Sequence, residues 1–299
     1  MIKYKGGGTY MNKYAKMIRT QFGKIDTKRD EGLTIPTSIN TYRDFSYGDK
    51  KWQVLDLYTP KTQKGPFPLI INVHGGGWYY GDKERYQFYC YEMCKRGFAV
   101  INFSYRLAPE FHFPAPLEDL SLVVSWMYQN SSFFNLDMKS IFMVGDSAGA
   151  HILGNYMNLL NNKKAQEDVG VKVEERFKPR AIALMCGCYN IEDPTIDTSP
   201  ELLEGLFKKD DDISKYNVLT HMTSSFPPVF MMTSHKDFLK SQTLALHEAL
   251  INNDIPFTYK YYVGTTTPLF HCFHLNVKME ESHKVMDEMI HYFKSFIYK

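Results

Sequence analysis

Short apolar runs alternate along the chain with longer stretches whose apolar residues recur every three or four positions; the first pattern fits strands and the second helices. Residues 69–73, 98–103, 141–144, 181–186, 228–232 and 257–263 are the strand-like runs. Helical character covers 11–31, 86–95 and the stretch holding Leu117, Leu120, Val124 and Met127. It returns in a C-terminal segment whose Met286, Met289, Ile290, Phe293, Phe296 and Ile297 fall on one stripe. Such alternation predicts an α/β fold with a mostly parallel central sheet flanked by helices. Two further strands, near 40–47 and 51–58, mix Trp52 and Val54 with charges and read as a half-exposed antiparallel pair at the sheet edge. Residues 61–68, rich in Lys, Gly and Pro, form a loop, and the polar stretch 161–175 a surface connection. The segment 189–226 is too long for a simple crossover between core strands and reads as an insertion, with Leu202, Leu203, Leu206 and Phe207 at helix-like spacing.

Two strand-like runs end in motifs that carry chemistry. After 141–144 comes Gly145-Asp146-Ser147-Ala148-Gly149 and then a helix, the strand, sharp turn and helix in which Gly-x-Ser-x-Gly presents a nucleophilic serine. After 69–73 comes His74-Gly75-Gly76-Gly77-Trp78, whose glycines leave backbone amides uncovered. A developing oxyanion needs such donors, to be joined by the amide of Ala148 just past the serine. The remaining members of a triad follow in the order acid, histidine: Asp237 lies just beyond 228–232, and His271 in the loop after 257–263. All three then project from one edge of a parallel sheet. In that arrangement His271 takes the serine proton, while Asp237 fixes the imidazole tautomer.

With these motifs the chain resembles the hormone-sensitive-lipase-like branch of the α/β-hydrolase superfamily, most of all its bacterial acetyl esterases. The resemblance covers nearly the whole chain and includes Tyr105-Arg106-Leu107-Ala108-Pro109-Glu110 and Phe113-Pro114-Ala115-Pro116-Leu117-Glu118-Asp119. It extends to Asp237-Phe238-Leu239, where the family has Asp-Pro-Leu, and to His271-Cys272-Phe273, where it has His-Gly-Phe. Both departures spare the catalytic side chain, although Cys272 cannot adopt positive φ as cheaply as glycine. The resemblance implies that Gly76, Gly77 and Ala148 donate the oxyanion amides, and that His74 braces its loop. It makes His271 a better match than His235 or His274. It also implies a cap over the site, built from residues 1–38 and 189–226 of what is otherwise one domain spanning 1–299.

Composition agrees and narrows the class. The 299 residues are 44% hydrophobic and 23% charged, enough for one large core, and a net charge of +2 gives no footprint for nucleic acid or an anionic membrane. Five cysteines, no apolar N-terminal signal and no membrane-length run point to the cytoplasm. Cys90 with Cys94, and Cys186 with Cys188, read as buried pairs and not as metal ligands beside His271 and His274, since no ligand quartet has a recognised spacing. Lys5-Gly6-Gly7-Gly8 ahead of Met11 has the form of a translated ribosome-binding site, which makes Met11 a candidate start in place of Met1.

The expected function is hydrolysis of short-chain acyl esters, acetyl above all, through an acyl-enzyme and without metal or organic cofactor. Trp78, Tyr79 and Tyr80 follow the oxyanion glycines and are candidates to narrow the pocket or stack on an acetylated sugar. An amidase or arylformamidase would use the same triad, a lipase would take longer chains, and a ligand receptor on this fold would dispense with His271. The aromatic C-terminal stripe packs on the sheet or, alternatively, supports a homodimer.

Overall fold

Side chains of a strand alternate between its two faces, so a sheet covered on both sides must draw two cores from consecutive residues. The computed structural model, which describes residues 13–160, 162–194, 196 and 200–297, shows this division. In β3 (Phe67–Val73), Leu69, Ile71 and Val73 enter one apolar cluster and Ile70 the other. In β6 (Ala181–Met185), Ile182 and Leu184 face away from Ala181, Ala183 and Met185. That double burial is why these strands read as unbroken apolar runs.

The sheet has eight strands in the order β1 (Ile39–Ser46), β2 (Val54–Pro60), β4 (Ala99–Phe103), β3, β5 (Leu136–Asp146), β6, β7 (Val229–Ser234) and β8 (Phe257–Tyr262). From β4 to β8 every neighbour is parallel, whereas β1–β2 and β2–β4 are antiparallel. The N-terminal pair is antiparallel and lies at the sheet edge as expected, but its exposure is confined to one strand. Of the two, β1 is the edge strand and carries the exposed residues; β2, paired on both sides, is almost entirely buried.

One face carries α2 (Lys83–Lys95) and α8 (Glu280–Lys294), and the other α3 (Ala115–Asn130), α4 (Ala148–Leu159) and α7 (Lys240–Asn252). Met286, Met289, Ile290 and Phe293 of α8 are buried against the sheet, with the Phe293 ring stacked 4.7 Å from that of Phe142. Over these four residues the stripe is used against the sheet, while Phe296 and Ile297 at its end are partly buried. The polar stretch after α4 contains a short helix, α5 (Lys163–Val169), capped by Asn162 Oδ1 accepting from the Ala165 amide at 3.0 Å. Seven residues are too few to show a helical period, which is why the pattern gave only a connection. Met1, Met11 and the Lys5–Gly8 stretch lie outside the described residues. No described helix is long and apolar enough to cross a membrane.

Two elements outside the layers bear on the site. Helix α1 (Lys13–Asp30) is tied down by Arg19, whose guanidinium donates to the carbonyls of Tyr79 and Ala108 at 2.9 Å and pairs with Glu110 at 2.5 Å. Helix α6 (Pro200–Leu206) is held by the Tyr79 hydroxyl donating to the Leu202 carbonyl at 2.7 Å and the Phe113 amide to Leu206 at 2.9 Å.

The turn from β5 into α4 depends on two glycines. A β-carbon on Gly145 would stand 2.7 Å from the Gly149 carbonyl oxygen, and one on Gly149 would overlap the Val73 carbonyl and lie 2.6 Å from that of His74. Gly149→Ala is accordingly expected to lower stability by about 3 kcal/mol. Urea denaturation checks this; a variant as stable as the parent would show that α4 does not press on β3 here.

Candidate active site

Ser147 occupies the tip of the β5–α4 turn with φ 51° and ψ −119°, a conformation that costs a side-chain-bearing residue about 1–3 kcal/mol. The neighbouring sheet holds it there, since its amide donates to the Met185 carbonyl at 3.0 Å and its carbonyl accepts from Cys188 at 3.2 Å. Being the cap residue of α4, it also stands at the positive end of that helix.

Two loops from other strand ends complete the constellation. His271, in the loop after β8, lies with Nε2 3.0 Å from Ser147 Oγ and Nδ1 2.6 Å from Asp237 Oδ1, which follows β7. Asp237 is buried, and burial by itself would raise its carboxyl. The hydrogen bond and charge of His271, with the Thr233 hydroxyl and the Leu239 amide, outweigh that and draw it down to about 2. The acid is therefore ionised at any working pH and can hold the imidazole in one tautomer. A parallel bridge between Lys236 and Phe270, and the Ser234 hydroxyl donating to the Leu269 carbonyl at 2.7 Å, lock the acid loop to the histidine loop.

The glycine loop after β3 forms the facing wall. Gly76 has φ +115°, and a β-carbon there would run into the Tyr80 carbonyl, so only glycine fits. Among the described residues, the amides of Gly76, Gly77 and Ala148 have no protein acceptor. His74 braces this loop: its ring stacks 4.0 Å from Tyr105, its Nδ1 lies 2.7 Å from the Gly75 carbonyl, and its own carbonyl accepts from the Tyr105 hydroxyl at 2.9 Å. Burial pushes the His74 imidazole down to about 4, so it is neutral. His274 is likewise buried and held down to about 3, with no hydrogen bond to either ring nitrogen. His235 lies on the acid loop, its amide bonded to the Tyr262 carbonyl.

Of the three aromatic candidates, Trp78 and Tyr80 line the cavity and Tyr79 does not. Trp78 has φ 63°, and this kink sends the Tyr79 ring into the contact with α6, where it is fully buried. The cavity, about 720 Å³, contains Ser147 and His271 and is walled by Ile18, Phe22, Leu202, Phe238, Phe270 and Met279. The Phe238 ring, where the family has proline, lies 4.3 Å from the His271 ring. Cys272 does take the left-handed conformation, with φ 54°.

Supporting residues that carry no motif of their own also emerge. Asp146, the buried second residue of the elbow, accepts from the Tyr86 hydroxyl at 2.8 Å, and that hydroxyl accepts from the Gly75 amide at 2.9 Å. The glycine loop and the elbow are thereby joined. Burial pushes the Asp146 carboxyl up to about 6. Thr233 and Ser234 were concealed in an apolar strand, whereas Tyr105, Arg106, Glu110 and Asp119 belong to the stretches that carried the resemblance. Their work is structural: Arg106 pairs with Asp119 at 2.9 Å and Glu118 at 2.7 Å, and Glu110 anchors α1.

The model of the BD-FAE family matches residues 55–250, from β2 to the end of α7. The chain belongs to the BD-FAE family of α/β-hydrolase esterases. The match includes Ser147 and Asp237 and stops before His271. The esterase is 27% identical over 239 residues to versiconal hemiacetal acetate esterase of Dothistroma septosporum, covering 74% of this chain and 72% of that one. It is 26% identical over 175 residues to kynurenine formamidase of Danio rerio, covering 58% and 53%. Esterase B of Lactobacillus rhamnosis, solved in inhibited form, shares its fold with a TM-score of 0.86 at 23% identity over 95% of both chains.

Proposed function

We propose that this carboxylic ester hydrolase cleaves short acyl esters of bulky, apolar alcohols through Ser147, His271 and Asp237. The single observation that carries the reading is His271 bridging Ser147 and Asp237 at 3.0 and 2.6 Å inside one apolar cavity. Ser147 Oγ attacks the ester carbonyl as its proton passes to His271 Nε2. The tetrahedral oxyanion is held by the amides of Gly76, Gly77 and Ala148. His271 then protonates the departing alcohol, and a water activated by the same imidazole hydrolyses the acyl-enzyme.

Trp78, buried beside the oxyanion glycines, favours a short acyl group, and the acetate esterase among the relatives is consistent with that. A cavity of about 720 Å³ exceeds what an acetyl group needs, so the remainder suits the alcohol. Its walls are mostly apolar, and the nearby Asp26 and Arg29 satisfy one another at 2.9 Å; an acetylated sugar would find few free partners. We read α1 and the segment 189–226 as the cap over this cavity, and the free cysteines as fitting a reducing, cytoplasmic setting.

A series of p-nitrophenyl esters tests the acyl preference. kcat/KM is expected to be greatest from acetyl to butyryl and to fall beyond. An open apolar acyl pocket would instead gain about 0.8 kcal/mol, nearly fourfold, per added methylene. A steady rise to decanoate would overturn the short-acyl reading in favour of a lipase. Matched anilides run beside the esters would expose an amidase by comparable kcat/KM.

A further inference from the structure

We propose that Cys186, Cys272 and His271 form a binding site for a soft divalent cation, Zn²⁺ or Cd²⁺, whose occupation switches the esterase off. Cys186 directly follows β6, and His271 and Cys272 lie in the loop after β8. The fold brings the two sulfurs and a ring nitrogen within 4.8 Å of one another, and among the described residues this is the one cluster of three such groups. Both cysteines have left-handed backbones, with φ 47° and 54°.

The spacing suits a cation. Zinc–sulfur bonds of about 2.3 Å in tetrahedral geometry set sulfurs about 3.8 Å apart, so the two sulfurs need close by no more than about 1 Å. Met232 Sδ lies 3.8 Å from Cys186 Sγ, and Asp146 Oδ2 lies 3.5 Å from Cys272 Sγ as a candidate fourth ligand. Thiols and a thioether favour Cd²⁺ and Zn²⁺ over Mg²⁺ or Ca²⁺. Cys272 is on the cavity wall, so the cation enters where substrate does. Binding replaces two S–H bonds with two metal–thiolate bonds and releases two protons to solvent.

Occupation would stop the reaction whichever imidazole nitrogen is used. A cation on Nε2 displaces Ser147 from the base. A cation on Nδ1 displaces Asp237 and leaves the proton on Nε2, which then cannot accept from the serine.

The switch rests on the esterase reading, but the site can be observed without it. The reduced protein, kept with a non-thiol reductant, is titrated with Cd²⁺ while thiolate-to-cadmium charge-transfer absorption, proton release and p-nitrophenyl acetate hydrolysis are followed. The expected result is one cadmium and two protons per chain, activity falling in step with the absorption, recovery on adding EDTA, and no effect of Mg²⁺. Cys186→Ala should retain basal turnover, and both it and Cys272→Gly, which suits the backbone, should lose the absorption and, each measured against its own metal-free rate, raise the inhibitory cadmium concentration at least about tenfold. Inhibition unchanged in both variants, or cadmium bound by the thiols with full activity, would overturn the proposal. Cadmium bound as described by a protein that hydrolyses no ester would support the site and overturn the catalytic reading instead.

Discussion

Ser147→Ala is expected to lower kcat about a millionfold, or to background, in a protein that remains folded. The magnitude follows from the proposed role: without Oγ no acyl-enzyme can form, and what remains is whatever the proposed oxyanion amides of Gly76, Gly77 and Ala148 contribute to attack by water. The fold should survive because Ser147 is held through its backbone, by the bonds to Met185 and Cys188, and its side chain contacts only His271 among the hydrogen bonds of the turn. Alanine is tolerated at φ 51° no worse than serine. Steady-state hydrolysis of p-nitrophenyl acetate, read beside circular dichroism and a melting curve, checks both halves. A well-folded variant with near-parental turnover would remove Ser147 from the reaction.

His271→Ala should be as damaging as loss of the serine, because general base and nucleophile act as one unit and the loss of either removes most of what both supply. The informative comparison is His274→Ala, three positions along. His274 is 1% exposed and packs its ring 5.5 Å from Tyr89, and among the described residues its ring nitrogens have no hydrogen-bond partner. Its removal leaves a cavity in the core and should lower the melting temperature while kcat per folded molecule stays near the parental value. Single-turnover rates normalised to active protein separate the two effects. Collapse of kcat in His274→Ala with turnover retained in His271→Ala would reverse the assignment.

Much of the site could be read from the chain because α/β sheets place their chemistry at the carboxyl ends of strands. Ser147, Asp237 and His271 each stand just past a run that was recognisable as a strand, and their order along the chain matched their spatial convergence. The Trp78-Tyr79-Tyr80 run was less legible. Whether Tyr79 faces substrate or cap turns on the 63° φ of Trp78, a loop dihedral with no periodic signature. Thr233 and Ser234 were hidden for the opposite reason: within a strand, a hydroxyl aimed at Asp237, as in Thr233, or at the Leu269 carbonyl, as in Ser234, looks the same as one buried in packing. The burial of β2 was not legible because Asp56, its one charged residue, reads as solvent-facing in the sequence, whereas it is buried in an ion pair with Lys83 at 2.9 Å.

By itself the sequence determined the α/β alternation, the nucleophile turn with its obligatory glycines and the chain order of the three catalytic candidates. These follow from local rules: side-chain period, steric limits on glycine-bearing turns and strand-end placement. Only the tertiary structure decided that α1 walls the cavity through Arg19 and Glu110, that Tyr86 and Asp146 couple the glycine loop to the elbow, and that Cys186 meets Cys272 and not Cys188. Those contacts join segments far apart in the chain. Their meeting is set by the order in which parallel strands cross over one another, and that order is selected by how all the apolar faces are buried together.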